Sequence, residues 1–280
     1  MDCYIDGRRA QAVPLDDRGL AYGDGLFETL RVERGRVRHL SRHLARLRAG
    51  CERLGLGDVD FGAIANELER RARAGDGVLK LMLTRVQQAR GYRVAADARV
   101  RRILCRAPLP QWGGQPAREG VRLHLCTFRL ATQPRLAGIK HLNRLEQVLA
   151  RAEWRDPAIA EGILCDARGR LVDGTMSNLF LLRADNVLVT PALDECGVAG
   201  VMRSVLIDLA REQGMPLEIT RVSRQDAARA RELFICNSLI GLWPVRCLEG
   251  VGEYPPGPVA AALGAALETC EEGSDNWYPR

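Results

Sequence analysis

The stretch Ala137-Gly138-Ile139-Lys140-His141-Leu142-Asn143-Arg144-Leu145 decides how this chain is read. Its lysine is one of only two. Of 41 basic residues, Lys80 and Lys140 are lysine and the other 39 are arginine. Arginine stays protonated and forms no imine, whereas a primary amine attacks carbonyl carbon. A lysine kept in a chain that otherwise uses arginine points to amine chemistry; the plain alternative is a solvated lysine kept by chance. Leu142, Leu145, Leu149 and Ala152 recur at helical spacing. The spacing predicts a helix with Lys140 at its mouth, where the dipole favours a neutral amine. Gly138 lets the backbone come close to a bound group.

Working outward, Gly197-Val198-Ala199-Gly200-Val201-Met202-Arg203 reads as a glycine-bounded loop entering a helix. Free N–H groups at such a start suit phosphate, and an ordinary loop is the competing reading. Arg46 follows His43 by three positions on a predicted helix, and its guanidinium has the paired donors that match a phosphate. Asp173 precedes Asn178-Leu179-Phe180 by five positions and by itself is a turn residue before a strand. The four histidines show no convincing metal spacing, and no G-x-S-x-G, P-loop or G-x-G-x-x-G is present.

Composition narrows the class. The chain has 280 residues, 46% hydrophobic and 27% charged, enough for two domains with sizeable cores. Net charge is +6, but arginine is spread along the chain and aromatics are only 5%, which argues against nucleic acid and for solvated surfaces that favour an anionic ligand. No apolar run approaches the roughly 20 residues of a membrane span. The start, Met1 to Gly7, lacks a basic region followed by an apolar one, so no signal peptide is expected. The nine cysteines are scattered with no C-x-x-C pair, which predicts reduced thiols, no metal and a cytoplasmic protein.

The first half predicts short strands and helices. Leu26–Val32 and Val37–Leu40 form a hairpin, a helix carries Leu44, Leu47 and Cys51, another spans Phe61–Arg73, and strands follow at Val78–Leu83 and Arg102–Cys105. The proline- and glycine-rich run from Ala107 to Pro116 is the linker. A strand at Val121–Phe128 opens the second half, which continues with strands at Leu179–Leu182, Val187–Thr190 and Leu233–Cys236 and a helix from Gly200. The expectation is a mixed α/β (α+β) chain, with 1–107 a small N-terminal domain, 108–119 a linker and 120–280 a larger C-terminal domain.

These pieces, in this order, resemble the fold-type IV pyridoxal-phosphate (PLP) enzymes, a class that includes branched-chain aminotransferases, D-amino-acid aminotransferases and aminodeoxychorismate lyase. The run from Asp17 to Thr29 (DRGLAYGDGLFET) is similar to the class's N-terminal signature. His43 to Leu47 is similar to its phosphate-arginine helix, Gly138-Ile139-Lys140 to its Schiff-base lysine, and Ser177 to Phe180 to the strand after its pyridine-nitrogen carboxylate. Gly200 to Arg203 resembles its phosphate-binding helix start; Leu233 to Ser238 and Pro244-Val245 resemble its last cofactor-side segment. Gly138 to Val148 and Ile235-Cys236-Asn237 resemble the lyase most closely.

The resemblance implies PLP in the cleft between the two domains, held covalently by Lys140. It implies Arg46, Gly200, Val201, Met202, Asn237 and Ser238 on the phosphate side and Asp173 at the pyridine nitrogen. It also implies a homodimer and a small anionic substrate, with conversion of 4-amino-4-deoxychorismate to 4-aminobenzoate and pyruvate. Two departures stand out. The class usually carries glutamate where this chain has Asp173, and Arg85 to Tyr92 lacks two glycines expected before Arg90-Gly91-Tyr92, the segment that would give Arg90 and Tyr92 to the substrate. An aminotransferase and a catalytically inactive PLP-fold binding protein stay open as alternatives.

Overall fold

A computed structural model describes residues 2–86, 91–95, 98–113 and 115–269. They form two compact units: Met1–Pro110 with Ile139–Asn143, and Gln111–Gly138 with Arg144–Glu271.

The first unit runs β1 (Asp2–Ile5), β2 (Arg8–Arg9), α1 (Arg18–Tyr22), β3 (Gly25–Glu33), β4 (Arg36–Val37), α2 (Leu40–Leu54), α3 (Phe61–Ala72), β5 (Gly77–Val86) and β6 (Arg99–Ala107). Its six strands make an antiparallel sheet in the order β2-β1-β6-β5-β3-β4. Alternation along β3 and β5 gives the sheet two different faces. Leu26, Leu30, Val32, Leu79, Leu81 and Leu83 are buried on one, where α2 packs on β3 and α3 on β5. Phe27, Thr29, Lys80 and Met82 lie on the other, which is more open.

The second unit runs α4 (Pro116–Glu119), β7 (Val121–Leu130), α5 (Leu145–Arg151), β8 (Ile159–Asp166), β9 (Leu171–Gly174), β10 (Asn178–Leu182), β11 (Leu188–Pro191), α6 (Val201–Glu212), β12 (Leu217–Thr220), α7 (Arg224–Ala228), β13 (Glu232–Asn237), β14 (Gly241–Leu248), β15 (Gly252–Glu253) and α8 (Pro258–Thr269). Its mixed sheet has the order β12-β11-β10-β13-β14-β7-β8-β9, with β15 beside β14. β10 is buried along its whole length and β13 along all but Asn237, which explains their continuous apolar sequences. Leu179, Leu181, Leu233 and Ile235 fill the core on one face. Phe180 and Phe234, stacked at 5.2 Å, meet Leu206 of α6 and Leu263 of α8 on the other.

The fold is mixed α/β, as the patterning predicts, but three local expectations are corrected. First, Lys140 does not open a helix. Helix α5 begins at Leu145, and the residues around Lys140 are tied to β3 instead: Phe27 N–H donates to Lys140 O at 2.9 Å, Leu142 N–H donates to Gly25 O at 3.0 Å, and Leu26 bridges His141. Those bonds place Ile139–Asn143 in the first unit, although the sequence reading put all of 120–280 in the C-terminal domain. Second, the span 108–119 is not all connector, since it contains α4. Third, the cysteines are not all reduced: Cys3 and Cys105 face each other across β1 and β6 and form a disulfide. A separation of 102 residues hides such a pair from the sequence, because strand pairing alone brings the two together.

Candidate active site

In the first unit the amine of Lys140 lies over the Phe27 ring, 4.4 Å from its centroid. The next residue of β3, Glu28, points to the opposite face and is buried. It organises the start of α2. Arg46 Nε donates to Glu28 Oε1 at 2.8 Å and Arg46 Nη2 donates to Oε2, a bidentate pair. His43 Nδ1 is 2.6 Å from Glu28 Oε2. A carboxylate only accepts, so Nδ1 carries the proton. Burial by itself pushes the Glu28 carboxyl up, but Arg46 and then His43 outweigh it and hold the carboxyl at about 2, against an ordinary 4.5. Burial pushes the His43 imidazole down; Glu28 opposes this, and the nearby charges of Arg46 and Lys140 add to it.

Because its folded-state value is depressed, ionised Glu28 contributes stability that is complete above pH 4.5 and is lost as pH falls towards 2. The size is roughly 3 kcal/mol. The Glu28→Gln protein is therefore expected to show a flatter acid limb than wild type, read as urea midpoints followed from neutral pH down to about 2. Parallel acid limbs in the two proteins would remove Glu28 as the linked group.

In the second unit Asp173 is buried at the end of β9, and its Oδ2 accepts from Val198 N–H at 3.0 Å. Asn178 Nδ2 donates to Val198 O at 2.8 Å, so Val198 is gripped on both sides. Gly138 completes the arrangement by pairing with this loop: its N–H donates to Gly197 O at 2.9 Å and its carbonyl accepts from Ala199 N–H at 3.0 Å. Glycine is required at two positions. Gly197 has φ +83°, and a Cβ there would meet Val172 and Leu193 below 3 Å. A Cβ on Gly200 would lie 1.9 Å from Asn178 Oδ1. Gly200 is the N-cap of α6 and supplies no side-chain acceptor, which leaves the first-turn amides of Val201, Met202 and Arg203 aimed at whatever anion docks there.

Glu161 fixes the turn between β9 and β10. It accepts from Thr175 Oγ1 at 2.5 Å, Gly162 N at 2.9 Å, Met176 N at 3.0 Å and Ser177 Oγ at 3.0 Å. Burial is the larger influence and pushes its carboxyl above the usual range against these donors. Asn237 shapes the turn after β13: its Oδ1 accepts from Leu239 N at 2.8 Å and Ile240 N at 3.0 Å, and its Nδ2 donates to Met176 O at 3.2 Å. Its side chain thus serves the turn that presents Ser238. Arg144, the N-cap of α5, feels the charge of Asp173; burial pushes its guanidinium down, and Asp173 and Glu146 oppose that.

The expected residues therefore fall into two sets. Lys140 and Arg46 are in the first unit; Asp173, Gly200, Val201, Met202, Asn237 and Ser238 are in the second. Tyr92 is 83% exposed and packs its ring 5.3 Å from Tyr22, while its backbone segment is held by Arg18 Nη1, which donates to Gly91 O at 2.9 Å. Arg90 lies outside the described residues. Sequence reasoning missed Glu28, Asn178, Glu161 and Arg144. The one available signal was a glutamate at an inward position of the apolar run Leu26–Leu30, with His43 and Arg46 at helical spacing downstream.

The donor set fits PLP. A lysine amine suits its aldehyde, a buried carboxylate suits its pyridine nitrogen, and an uncapped helix start suits its phosphate. Comparison with known proteins agrees. A 4-amino-4-deoxychorismate lyase structure from Pseudomonas aeruginosa is 50% identical, with a TM-score of 0.92 over 95% of this chain and 98% of that one. The aminodeoxychorismate lyase of Vibrio harveyi is 30% identical over 95% of this chain and 99% of its own length. The D-alanine aminotransferase of Bacillus licheniformis is 26% identical over 92% and 91%. The model of the amino-transferase class IV family matches residues 25–248, and the chain belongs to that family.

Proposed function

We propose that this protein is a PLP-dependent lyase that converts 4-amino-4-deoxychorismate to 4-aminobenzoate and pyruvate. The observation that carries the reading is the 50% identity to the Pseudomonas aeruginosa lyase over 95% of the chain, against 26% to the aminotransferase. When bound, PLP supplies an aldehyde that condenses with amines and a protonated ring that accepts electron density. Lys140 holds it through Nζ. Arg46, fixed by Glu28, and the amides of Val201 and Met202 hold the phosphate, with Gly200 allowing close approach and Ser238, on the turn shaped by Asn237, as a further donor. Asp173, fixed by Val198, keeps the ring nitrogen protonated.

Lys140 Nζ then works as acid and base. It removes the proton from the carbon that bears the substrate's amino group. The carbon–oxygen bond to the enolpyruvyl group breaks, its electron pair leaves with the oxygen, and the ring becomes aromatic. The same nitrogen delivers a proton to the methylene carbon of the enol, giving pyruvate. Arg90 and Tyr92 belong to the segment we assign to the substrate side.

The enzyme we envisage is a cytoplasmic homodimer. Helix α5 leaves Leu145 75% exposed, with Val148 and Leu149 beside it, an apolar face that a second copy would cover.

The test is 4-aminobenzoate formation from 4-amino-4-deoxychorismate by PLP-loaded protein with no keto acid present. Product is expected. No product from protein that carries the cofactor's visible band, with turnover of D-alanine and a keto acid instead, would replace the lyase with an aminotransferase.

A further inference from the structure

Arg18 opens α1 and is buried, with 6% of its surface exposed. A guanidinium is rarely taken that far from water unless its donors are committed. Here they are. Nε donates to Asp24 Oδ2 at 2.8 Å, Nη1 donates to Gly91 O at 2.9 Å, and Nη2 reaches Tyr92 O at 3.5 Å. The guanidinium carbon also lies 4.9 Å from the centroid of the Tyr22 ring, and that ring packs against Tyr92. One buried side chain thus holds the Gly91–Tyr92 segment through its backbone, while the ring beneath it meets the segment's aromatic side chain.

The clamp is anchored at its other end. Asp24 Oδ2 also accepts from Arg85 Nε at 3.0 Å, and the Arg85 fork donates to Gly55 O at 2.7 Å and Leu54 O at 2.8 Å, where α2 ends. Arg85 N–H donates to Asp24 O at 3.1 Å, and Asp24 N–H donates to Arg18 O at 3.2 Å. Charge-assisted bonds therefore run without a break from the end of α2, through β5 and the turn after α1, to Gly91 and Tyr92. Gly91, Tyr92, Arg93 and Val94 are all exposed. A segment that buries no side chain would ordinarily move freely. The bonds from Arg18 go to its carbonyls, so they fix its place whatever its side chains do.

We propose that Arg18 is a positioning residue for the lyase reaction: it clamps the carbonyls of Gly91 and Tyr92 and so holds the substrate-side segment where substrate meets it. The proposal rests on the function proposed above, which gives that segment to the substrate. Arginine suits the task because nitrogens fixed in one plane reach a carboxylate on one edge and two successive carbonyls on the other, whereas an ammonium is a single point. The acid partner does not depend on Arg18 alone, since Asp24 keeps Arg85 when Arg18 is replaced. Positioning acts on binding. A segment left loose must be ordered when substrate arrives, and that cost appears in KM before it appears in kcat.

The experiment compares full-length, PLP-loaded wild type with Arg18→Gln, Arg18→Lys, Tyr92→Ala and the double variant Arg18→Gln/Tyr92→Ala. Arg18→Gln is expected to keep the visible cofactor band. Its KM for 4-amino-4-deoxychorismate should rise roughly 10-fold while kcat changes by less than about threefold. Arg18→Lys restores the charge beside Asp24 but not the fork; it should keep the urea midpoint of wild type and still raise KM by at least about threefold. It takes the place of Arg18→Gln throughout should that variant fail to fold. Tyr92→Ala should raise KM as well, and the Arg18 substitution should then add clearly less than it does in wild type, because the two act through one segment. A wild-type KM in Arg18→Lys or in Tyr92→Ala overturns the proposal. So do effects that multiply in full in the double variant, and losses that track a lost visible band. Should wild type make no 4-aminobenzoate, the lyase reading fails on its own. Native-state trypsin cleavage between Arg93 and Val94 then judges the clamp: cutting several-fold faster in Arg18→Lys than in wild type supports it, and equal rates overturn it.

Discussion

The Lys140→Ala protein is expected to form no measurable 4-aminobenzoate, a loss of at least about ten-thousandfold, and to lack the visible band of lysine-bound cofactor. The size follows from the number of tasks placed on one nitrogen. In the function we propose, Lys140 holds the cofactor covalently, takes the proton that starts the elimination and returns one to the product. Among its described surroundings Phe27 offers only a ring face, His43 is buried and committed through Nδ1 to Glu28, and Lys80 is the only other amine side chain in the sequence. The fold should survive, because the bonds that place this segment come from the backbone of Phe27 and Leu142. Stopped assays for product and an absorbance spectrum after PLP loading decide the matter. A variant that keeps both band and product would take Lys140 out of the chemistry.

The second large effect is expected at Asp173. Asparagine there has the same shape and can still accept from Val198 N–H through its oxygen, so the loop is preserved and only the negative charge goes. The ring nitrogen then loses its counter-charge, and kcat should fall roughly a hundred- to thousandfold while the visible band persists. Rapid-mixing kinetics and a PLP titration separate the two quantities. A kcat close to wild type in Asp173→Asn would mean that this carboxylate positions Val198 and does nothing more. The aspartate, where the class usually has glutamate, is anchored by that same backbone bond, so the shorter side chain is held in place rather than loose.

Much of this was legible in the sequence. Lysine scarcity singled out Lys140, and glycines at 197 and 200 marked the start of α6. Continuous apolar runs gave β10 and β13 because both faces of those strands are buried. The helix read at Lys140 failed for a physical reason. Leu145 and Leu149 do have helical spacing, but their face is exposed, and residues 140–142 are tied to β3, which supplies hydrogen bonds that a helix would have supplied locally. Glu28 went unread because its partners come from α2, and only the packing of α2 on β3 makes a buried glutamate tolerable. Asn237 is placed on the phosphate side by the family resemblance, and the hydrogen bonds its side chain makes within its own turn depend on local geometry that the sequence does not show. The pairing of Cys3 with Cys105 was out of reach for the same reason as Glu28: it depends on which strands become neighbours.

The convergence of both lysines on Phe27 also has a practical meaning. In most proteins an acylating reagent scatters over many surface amines, and the lost activity cannot be traced. Here the only side-chain amines it can modify, those of Lys80 and Lys140, lie 5.5 and 4.4 Å from the centroid of a single ring. Peptide mapping of partly labelled protein would assign every side-chain adduct to position 80 or 140, and protection by a bound ligand would report occupancy of that one place.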